Sequence, residues 1–260
     1  MAIPVKNASQ IELVRESARI VAGVLDLLED AIKPGVTTAA LDRAAEEYIK
    51  SQGAWPSFKG YDSPEFGKFP ASICASVNEQ VIHGIPGKRL LQEGDIIGID
   101  VGAYKNGFHA DAARTFGVGA LSPDAAKLIE ITRGAFFAGI AHAKPGCHLH
   151  DISRAIDAFV TPRGYGIVRE FIGHGVGREL HEEPQIPHYT QKRRGPLLYA
   201  GMTLAVEPMI TQGSFEVEIL KSDGWTVVTK DRKLSAHYEN TVLITGGEPE
   251  ILTLARDLRG

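Results

Sequence analysis

The chain has 260 residues, 43% of them apolar and 23% charged, and its formal net charge is -4. These values are typical of a soluble globular protein, and they argue against nucleic acid as the main partner because phosphate binding requires a basic face. No stretch approaches the roughly 18 apolar residues that a membrane span needs, and the amino terminus lacks the apolar run of a signal peptide. With only two cysteines, the sequence predicts a cytoplasmic protein.

The first predicted element is a helix that begins at Ser9. Glu12 follows three residues later, which is the spacing of a capping box, and apolar residues then recur at helical intervals. The Lys33-Pro34-Gly35 sequence ends this pattern, and a second helical pattern follows directly. The amino-terminal part therefore reads as helix, break, helix.

A strand pattern follows around Asp100, in the sequence IIGIDVGAY, and its apolar flanks predict that the strand is buried. The next strand starts near Phe108, after a turn that contains Asn106-Gly107. If Asn-Gly is central, Asp111 lies diagonal to Asp100 on the same face, and if Lys-Asn is central it lies directly opposite. A three-residue turn would place the two acids on opposite faces.

The second half of the chain repeats the first. The third predicted helix begins at Ser122-Pro123-Asp124, and Lys144-Pro145-Gly146 follows the first Lys-Pro-Gly at an offset of 111 residues. The segment ending in Asp100 aligns with the segment ending in Glu207 at an offset of 107. His109-Ala110-Asp111 aligns with His237-Tyr238-Glu239 at an offset of 128.

These matches predict a duplicated α+β unit, with halves at about 9–118 and 120–247 in a single domain that spans residues 1–260. Duplicated halves pack around a pseudo-twofold axis, which would bring four acids to one place. They form two related pairs, Asp100 with Glu207 and Asp111 with Glu239.

Converging buried carboxylates point to a metal site, because they repel one another unless a cation lies between them. His174 adds a nitrogen ligand, and glycines at 173, 175 and 177 allow the backbone to approach whatever it binds. One histidine with four acids suits two divalent metal ions about 3.5–4 Å apart, as used in hydrolysis. The ligand set excludes a thiolate zinc site and fits Co, Mn, Fe or Zn without choosing among them.

At this point the sequence resembles type I methionine aminopeptidases over residues 9 to 253. The resemblance implies the α/β pita-bread fold, with its pseudo-twofold halves around a central antiparallel sheet. It also implies removal of the initiator methionine from nascent chains at the ribosome when the second residue is small, by a monomeric enzyme. It rests on six segments in family order, SVNEQVIHGIP (76–86), GDIIGIDVG (94–102), GFHADAARTF (107–116), GHGVGRELHEEP (173–184), GMTLAVEPMI (201–210) and SAHYENTVLIT (235–245).

The resemblance also implies a role for each ligand. Asp100 would chelate one metal, Asp111 and Glu239 would bridge both, and His174 and Glu207 would hold the other. A water molecule between the metals would be the nucleophile, and Glu207 would take its proton.

Further residues are implied around the metals. His181 would stabilise the developing oxyanion, and His83 would contact the substrate amide. The resemblance also implies a monovalent-cation site near Asn78 and Ser235. The pocket for the methionine side chain is less well defined, because residues 61–69 are a few residues longer than in some relatives and Phe58 stands where those relatives have cysteine. Its expected lining is Tyr61, Phe69, Cys74, Leu180 and Trp225.

Two alternatives compete with this function. An X-Pro aminopeptidase or dipeptidase would use a similar centre, but it usually carries a preceding domain, for which the helix at Ser9 leaves no room. A binding protein on the same fold would be expected to lack a ligand, and all five are present. The 33 positions between His174 and Glu207 leave no space for the helical insertion of type II enzymes. We also hypothesise that His109 and His237 orient the bridging acids.

Overall fold

The computed structural model describes residues 3–64 and 67–258. The helices of this part are α1 (Ala8–Ala31), α2 (Thr38–Ser51), α3 (Pro123–Ile140) and α4 (Leu149–Val160), with short 3-10 turns at Thr161–Arg163 and Arg256–Leu258. None of these helices combines the length and the apolar character that a membrane crossing requires.

The predicted start of α1 was wrong in detail. Its N-cap is Asn7, whose side chain accepts a hydrogen bond from the Gln10 backbone, while the Gln10 side chain accepts one from the Asn7 backbone. The capping box is therefore Asn7 and Gln10 and not Ser9 and Glu12, because the asparagine carbonyl reaches the free amides of the first turn just as a serine hydroxyl would. The start of α3 agrees with prediction, with Ser122 as the cap and Pro123 in the first turn.

The strands of the amino-terminal half are β1 (Trp55–Pro56), β2 (Asp62–Ser63), β3 (Gly67–Lys68), β4 (Cys74–Val77), β5 (Gln80–Ile82), β6 (Ile96–Lys105) and β7 (Phe108–Gly117). Those of the carboxy-terminal half are β8 (Gly166–Ile167), β9 (Gly173–Gly175), β10 (Glu182–Ile186), β11 (Thr203–Val206), β12 (Met209–Thr211), β13 (Val217–Ile219), β14 (Val227–Thr229), β15 (Ser235–His237), β16 (Asn240–Leu243) and β17 (Glu250–Ile251).

The β6–β7 hairpin decides among the three turn alternatives. Lys105 pairs with Phe108, so Asn106 and Gly107 are the two central residues, and both have the positive φ of a type I′ turn. Asp100 pairs with Ala113, which places Asp111 diagonal to Asp100 on the same face of the hairpin. This is the first of the predicted arrangements.

The second half supplies the matching acids from separate strands. In β11 and β16, Val206 pairs with Asn240, so Glu207 and Glu239 lie at the adjoining ends of these strands. On its other side β11 pairs with β9, where Ala205 lies opposite His174. The two halves meet where Ala113 and Glu239 exchange backbone hydrogen bonds of 3.3 and 2.9 Å.

Each half has its own helix pair and its own apolar core. Helix α1 packs on β6 and β7, and α3 packs on α4, β12 and β15. Two isolated bridges, Thr37 with Leu90 and His148 with Leu197, occupy corresponding positions of the repeat. The duplicated pita-bread architecture is thereby confirmed, and it directs the acid-bearing strand ends of both halves to one region.

Candidate metal centre and active site

One cavity of about 450 Å³ receives all five predicted ligands. Asp111, Glu207 and Glu239 are buried in its wall, while Asp100 and His174 remain partly accessible from it. Ligand atoms of Asp111, His174 and Glu239 lie within 4.8 Å of one another. The Nε2 atom of His174 is 3.5 Å from a carboxylate oxygen of Glu207. The structure thus brings together every ligand that the sequence predicted.

The electrostatics of this cluster are those of acids that lack a counter-charge. Burial, then the neighbouring acids, raises the pKa of Asp100, Glu207 and Glu239 well above the ordinary value, and burial raises that of Asp111 to about 7. One carboxylate oxygen of Asp100 and one of Asp111 are buried without a hydrogen-bond partner in the described part of the chain. Such orphaned oxygens fit divalent metal ions, which would satisfy them and offset the repulsion.

The local structure of β9 would allow His174 to bind a metal ion through Nε2. Its Nδ1 lies 2.8 Å from the carbonyl oxygen of Gly175, which can only accept, so Nδ1 carries the proton and Nε2 keeps its lone pair. A Cβ atom on Gly173 would lie 2.4 Å from the Ala205 carbonyl, and one on Gly175 would lie 2.2 Å from the Glu183 carbonyl. Both glycines are therefore needed for the close packing of β9 against its neighbouring strands.

The two predicted non-ligand histidines line the same cavity. His181 has its Nδ1 2.8 Å from the Tyr61 hydroxyl, and its ring lies edge-on to that of His174 at 4.4 Å. The ring of His83 packs edge-on against Trp225, and the backbone at His83 has a φ of 57°. Burial lowers the pKa of both histidines to about 4, so each imidazole is neutral near pH 7.

An apolar sleeve opens onto the acid cluster. Phe69 and Trp225 meet edge-on with their ring centroids 5.1 Å apart, and Phe58 contributes a further aromatic ring. The longer segment at 61–69 contains the short β2–β3 hairpin, and its residues 65–66 lie outside the described part of the chain. The sleeve contains all five residues predicted for the methionine pocket, namely Tyr61, Phe69, Cys74, Leu180 and Trp225.

The structure shows no hydrogen bond from His109 or His237 to a bridging acid among the described residues. The Nε2 atom of His237 is 3.5 Å from Glu207 and 4.0 Å from Glu239, and it has no hydrogen-bond partner there. His109 instead has its Nδ1 2.8 Å from the Ser57 hydroxyl, and its ring lies against Tyr104. The repeat relates these two histidines in sequence, but the strands that flank them differ.

Sequence reasoning missed two residues that support the ligands. The buried His188 accepts a 3.1 Å hydrogen bond at Nε2 from the backbone of Glu207. The buried Arg114 donates to the carbonyl oxygen of Glu239 at 2.6 Å and to the Asn240 side chain at 2.8 Å. Neither residue lies in a sequence pattern typical of metal ligands. The one indication in the sequence was a charged residue, Arg114, three positions after Asp111 in a strand that was expected to be apolar.

The residues predicted near a monovalent cation are neighbours. The backbone of Ser235 donates a 2.9 Å hydrogen bond to the carbonyl oxygen of Asn78. The side chain of Asn78 donates to Asp95 and accepts from the Ile96 backbone, so its amide group is already engaged.

The fold and the acid cluster define a metal-dependent hydrolase, and the comparisons with known proteins agree. Residues 12–246 match metallopeptidase family M24. The methionine aminopeptidase of Clostridium acetobutylicum is 54% identical, over 97% of this chain and 99% of that relative. The methionine aminopeptidase of Escherichia coli is 44% identical, over 99% of this chain and 96% of that relative.

Solved structures give the same result. The methionine aminopeptidase from Rickettsia prowazekii superposes with a TM-score of 0.93 at 37% identity, covering 97% of this chain and 100% of that one. The prolidase from Pyrococcus furiosus, at 23% identity and a TM-score of 0.75, covers 96% of this chain and 65% of its own length, and it shows the shared fold alone. The chain therefore belongs to metallopeptidase family M24 and, within it, to the methionine aminopeptidases.

Proposed function

We propose that this enzyme removes the initiator methionine from nascent polypeptides whose second residue is small, in the cytoplasm and at the ribosome, as a monomer. The observation that carries the proposal is that one cavity joins an apolar sleeve to a cluster of buried acids. An unbranched thioether side chain requires such a sleeve, and the acids stand where the sleeve opens. The curated relatives bear the name of this activity.

We also propose which residues hold the metal ions. Two divalent metal ions, from among Co, Mn, Fe and Zn, would be held by five ligands, namely Asp100, Asp111, His174, Glu207 and Glu239. Bound there, they would supply a water molecule activated for attack and would polarise the scissile carbonyl. A monovalent cation would be held near Asn78 and Ser235.

The protein groups then have separate tasks. The Glu207 carboxylate takes the proton of the attacking water. His181, which is neutral, donates a hydrogen bond to the oxygen that becomes negative in the transition state. His83 contacts the amide of the scissile bond, and the sleeve positions the methionine side chain. The whole chain, residues 1–260 with repeat halves at about 9–118 and 120–247, acts as a single catalytic domain.

The peptide Met-Ala-Ser tests the substrate. Anaerobically purified protein loaded with Mn or Co should release methionine from it and leave Ala-Pro peptides intact. Metal analysis of the same sample should find two ions per chain. Cleavage of X-Pro peptides in place of Met-Ala-Ser would show that the enzyme has the specificity of a prolidase, and no cleavage of either by a metal-loaded, folded sample would favour a binding protein.

A Glu207→Gln variant tests the mechanism with little change in side-chain shape. We expect turnover to fall by about a hundredfold or more, as for loss of a general base. Wild-type activity with full metal loading would remove Glu207 from both proposed roles.

A further inference from the structure

A buried ion pair joins the start of the chain to the wall of the active site. The Lys6 ammonium lies 2.6 Å from a carboxylate oxygen of Glu182, and the two side chains are only 4% and 8% exposed. The residues are 176 positions apart, so the contact is a product of the tertiary fold. Burying two charges is costly, and an apolar pair of the same size often stabilises a fold as well. A purely stabilising role is therefore a weak explanation for this pair.

The backbone of Lys6 is anchored independently of its side chain. Its amide donates a 2.8 Å hydrogen bond to the carbonyl oxygen of Gly201, and Asn7 then caps α1. A Cβ atom on Gly201 would lie 2.6 Å from the Lys6 carbonyl oxygen, so this crossing requires a glycine. Replacing the lysine side chain consequently removes the ammonium group and leaves the path of the segment in place.

Glu182 uses its other oxygen to close the loop that carries His181. That oxygen accepts hydrogen bonds from the backbones of Arg178 at 2.7 Å and Glu179 at 3.3 Å. A Cβ atom on Gly177 would lie 2.5 Å from the Lys6 side chain and 2.8 Å from the same carboxylate oxygen. The ion pair thus fills the space under the turn at 177–182.

The backbone of Glu182 is close to that of both His181 and His174. Glu182 follows His181 directly in the chain and lines the cavity. In the β9–β10 pair it lies opposite Gly175, the neighbour of His174. A shift of Glu182 would therefore displace the His181 imidazole from the hydroxyl of Tyr61, which now lies 2.8 Å away.

We propose that Lys6 is a positioning residue for peptide hydrolysis, acting through Glu182 on His181. The ammonium group holds the Glu182 carboxylate under the turn, and the carboxylate holds the turn that presents the imidazole to the substrate. Without the ammonium, the carboxylate turns toward water and releases the two backbone amides. The inference rests on the proposed function for its kinetic consequence and on the structure alone for its effect on the loop.

The test is Lys6→Met, with Lys50→Met as the matched control because Lys50 forms an exposed ion pair with Glu46. With Met-Ala-Ser, we expect kcat to fall about tenfold or more in Lys6→Met, as for a small misplacement of a catalytic group, with KM and metal content nearly unchanged. In a His181→Ala background the same change should alter kcat by less than about twofold, because the two residues act in one chain of contacts. An equal loss in both backgrounds would overturn the proposal.

Hydrogen exchange at the amides of residues 178–182 tests the pair without any substrate. Exchange should be faster in Lys6→Met than in the wild type, and unchanged in Lys50→Met. If Lys6→Met does not fold, Glu182→Gln keeps the shape of the side chain and should show the same faster exchange and lower kcat. Unaltered exchange in a folded variant overturns the proposal, whereas wild-type inactivity toward Met-Ala-Ser with altered exchange overturns only the proposed substrate.

Discussion

Asp111 lies diagonal to Asp100 across the β6–β7 hairpin, with both carboxyl groups on one face. Each has an oxygen that is buried and has no hydrogen-bond partner within residues 3–64 and 67–258. Burial raises the pKa of both carboxyl groups, and for Asp111 the value reaches about 7 against an ordinary 3.8. The metal-free folded state therefore favours a protonated form of this pair.

This relationship predicts how metal-free stability depends on pH. A carboxyl group whose pKa is raised in the folded state favours folding at low pH, and the contribution is lost as pH rises from 3.8 through about 7. The buried histidines act in the opposite direction, because burial lowers the pKa values of groups such as His83 and His181 to about 4. We therefore expect the difference in unfolding free energy between the metal-free wild type and metal-free Asp111→Asn to shift against the wild type from pH 5 to pH 8, by on the order of a few kcal/mol. Urea unfolding at both pH values measures this difference.

The metal-loaded protein is the control for that measurement, because bound cations replace the protons. The metal-loaded wild type should lack the loss of stability that the Asp111 carboxyl causes as pH rises. The same pH dependence in metal-free wild type and metal-free Asp111→Asn would contradict the electrostatics described for this cluster.

The backbone contact beside His174 predicts the effect of Gly175→Ala. A Cβ atom there would meet the Glu183 carbonyl at 2.2 Å, so β9 and β10 would have to separate. We expect strongly reduced activity and a lower melting temperature, by the several degrees that a few kcal/mol represent. Gly246→Ala is the control, since nothing lies within 4 Å of its added Cβ atom. Similar melting temperatures for the two variants would show that the strand pair tolerates the contact.

The contact between the Tyr61 hydroxyl and His181 predicts that Tyr61 does more than line the sleeve. When it donates to Nδ1 of His181, the proton of the neutral imidazole is placed on Nε2, the nitrogen that can then donate to the substrate. Tyr61→Phe keeps the aromatic ring, so KM should change little while kcat falls about tenfold, less than the hundredfold typical of losing an oxyanion donor outright. Steady-state kinetics with Met-Ala-Ser checks this. A rise in KM alone would assign Tyr61 to the sleeve only.

The hydrogen bonds of Arg114 predict that replacing this residue, which is not itself a proposed ligand, weakens metal binding. Its guanidinium group donates to the Glu239 carbonyl and pairs with Asp257, near the end of the chain. Arg114→Met should lower metal affinity by about tenfold to a hundredfold, the range for loss of groups that orient ligands. Titration calorimetry of the metal-free protein measures it. Arg133→Met is the control, because Arg133 is half-exposed and also faces Asp257, at 3.8 Å. An equal loss of metal affinity in both variants would show that the effect comes from the contact with Asp257.

Local sequence signals predicted much of the site correctly. Asn106-Gly107 favours a two-residue turn, because both central positions need a positive φ, and the structure selects that turn from the three alternatives. The turn then decides which face Asp111 shares with Asp100, and the internal repeat locates Glu207 and Glu239. The cap of α1 was misplaced because Asn7 and Ser9 are both good capping residues, and only the path of the preceding chain selects between them.

The sequence by itself therefore determined the duplication and the four acids and one histidine that meet in one cavity, because turn geometry and strand alternation act over a few residues and each half repeats them. Only the tertiary structure decided which distant groups support the ligands. Lys6 under Glu182, and His188 behind Glu207, are contacts between segments far apart in the chain. These contacts are favourable because they pair buried charges and buried backbone amides. Which groups become buried together depends on how the helices and sheets pack, and no sequence pattern indicates it.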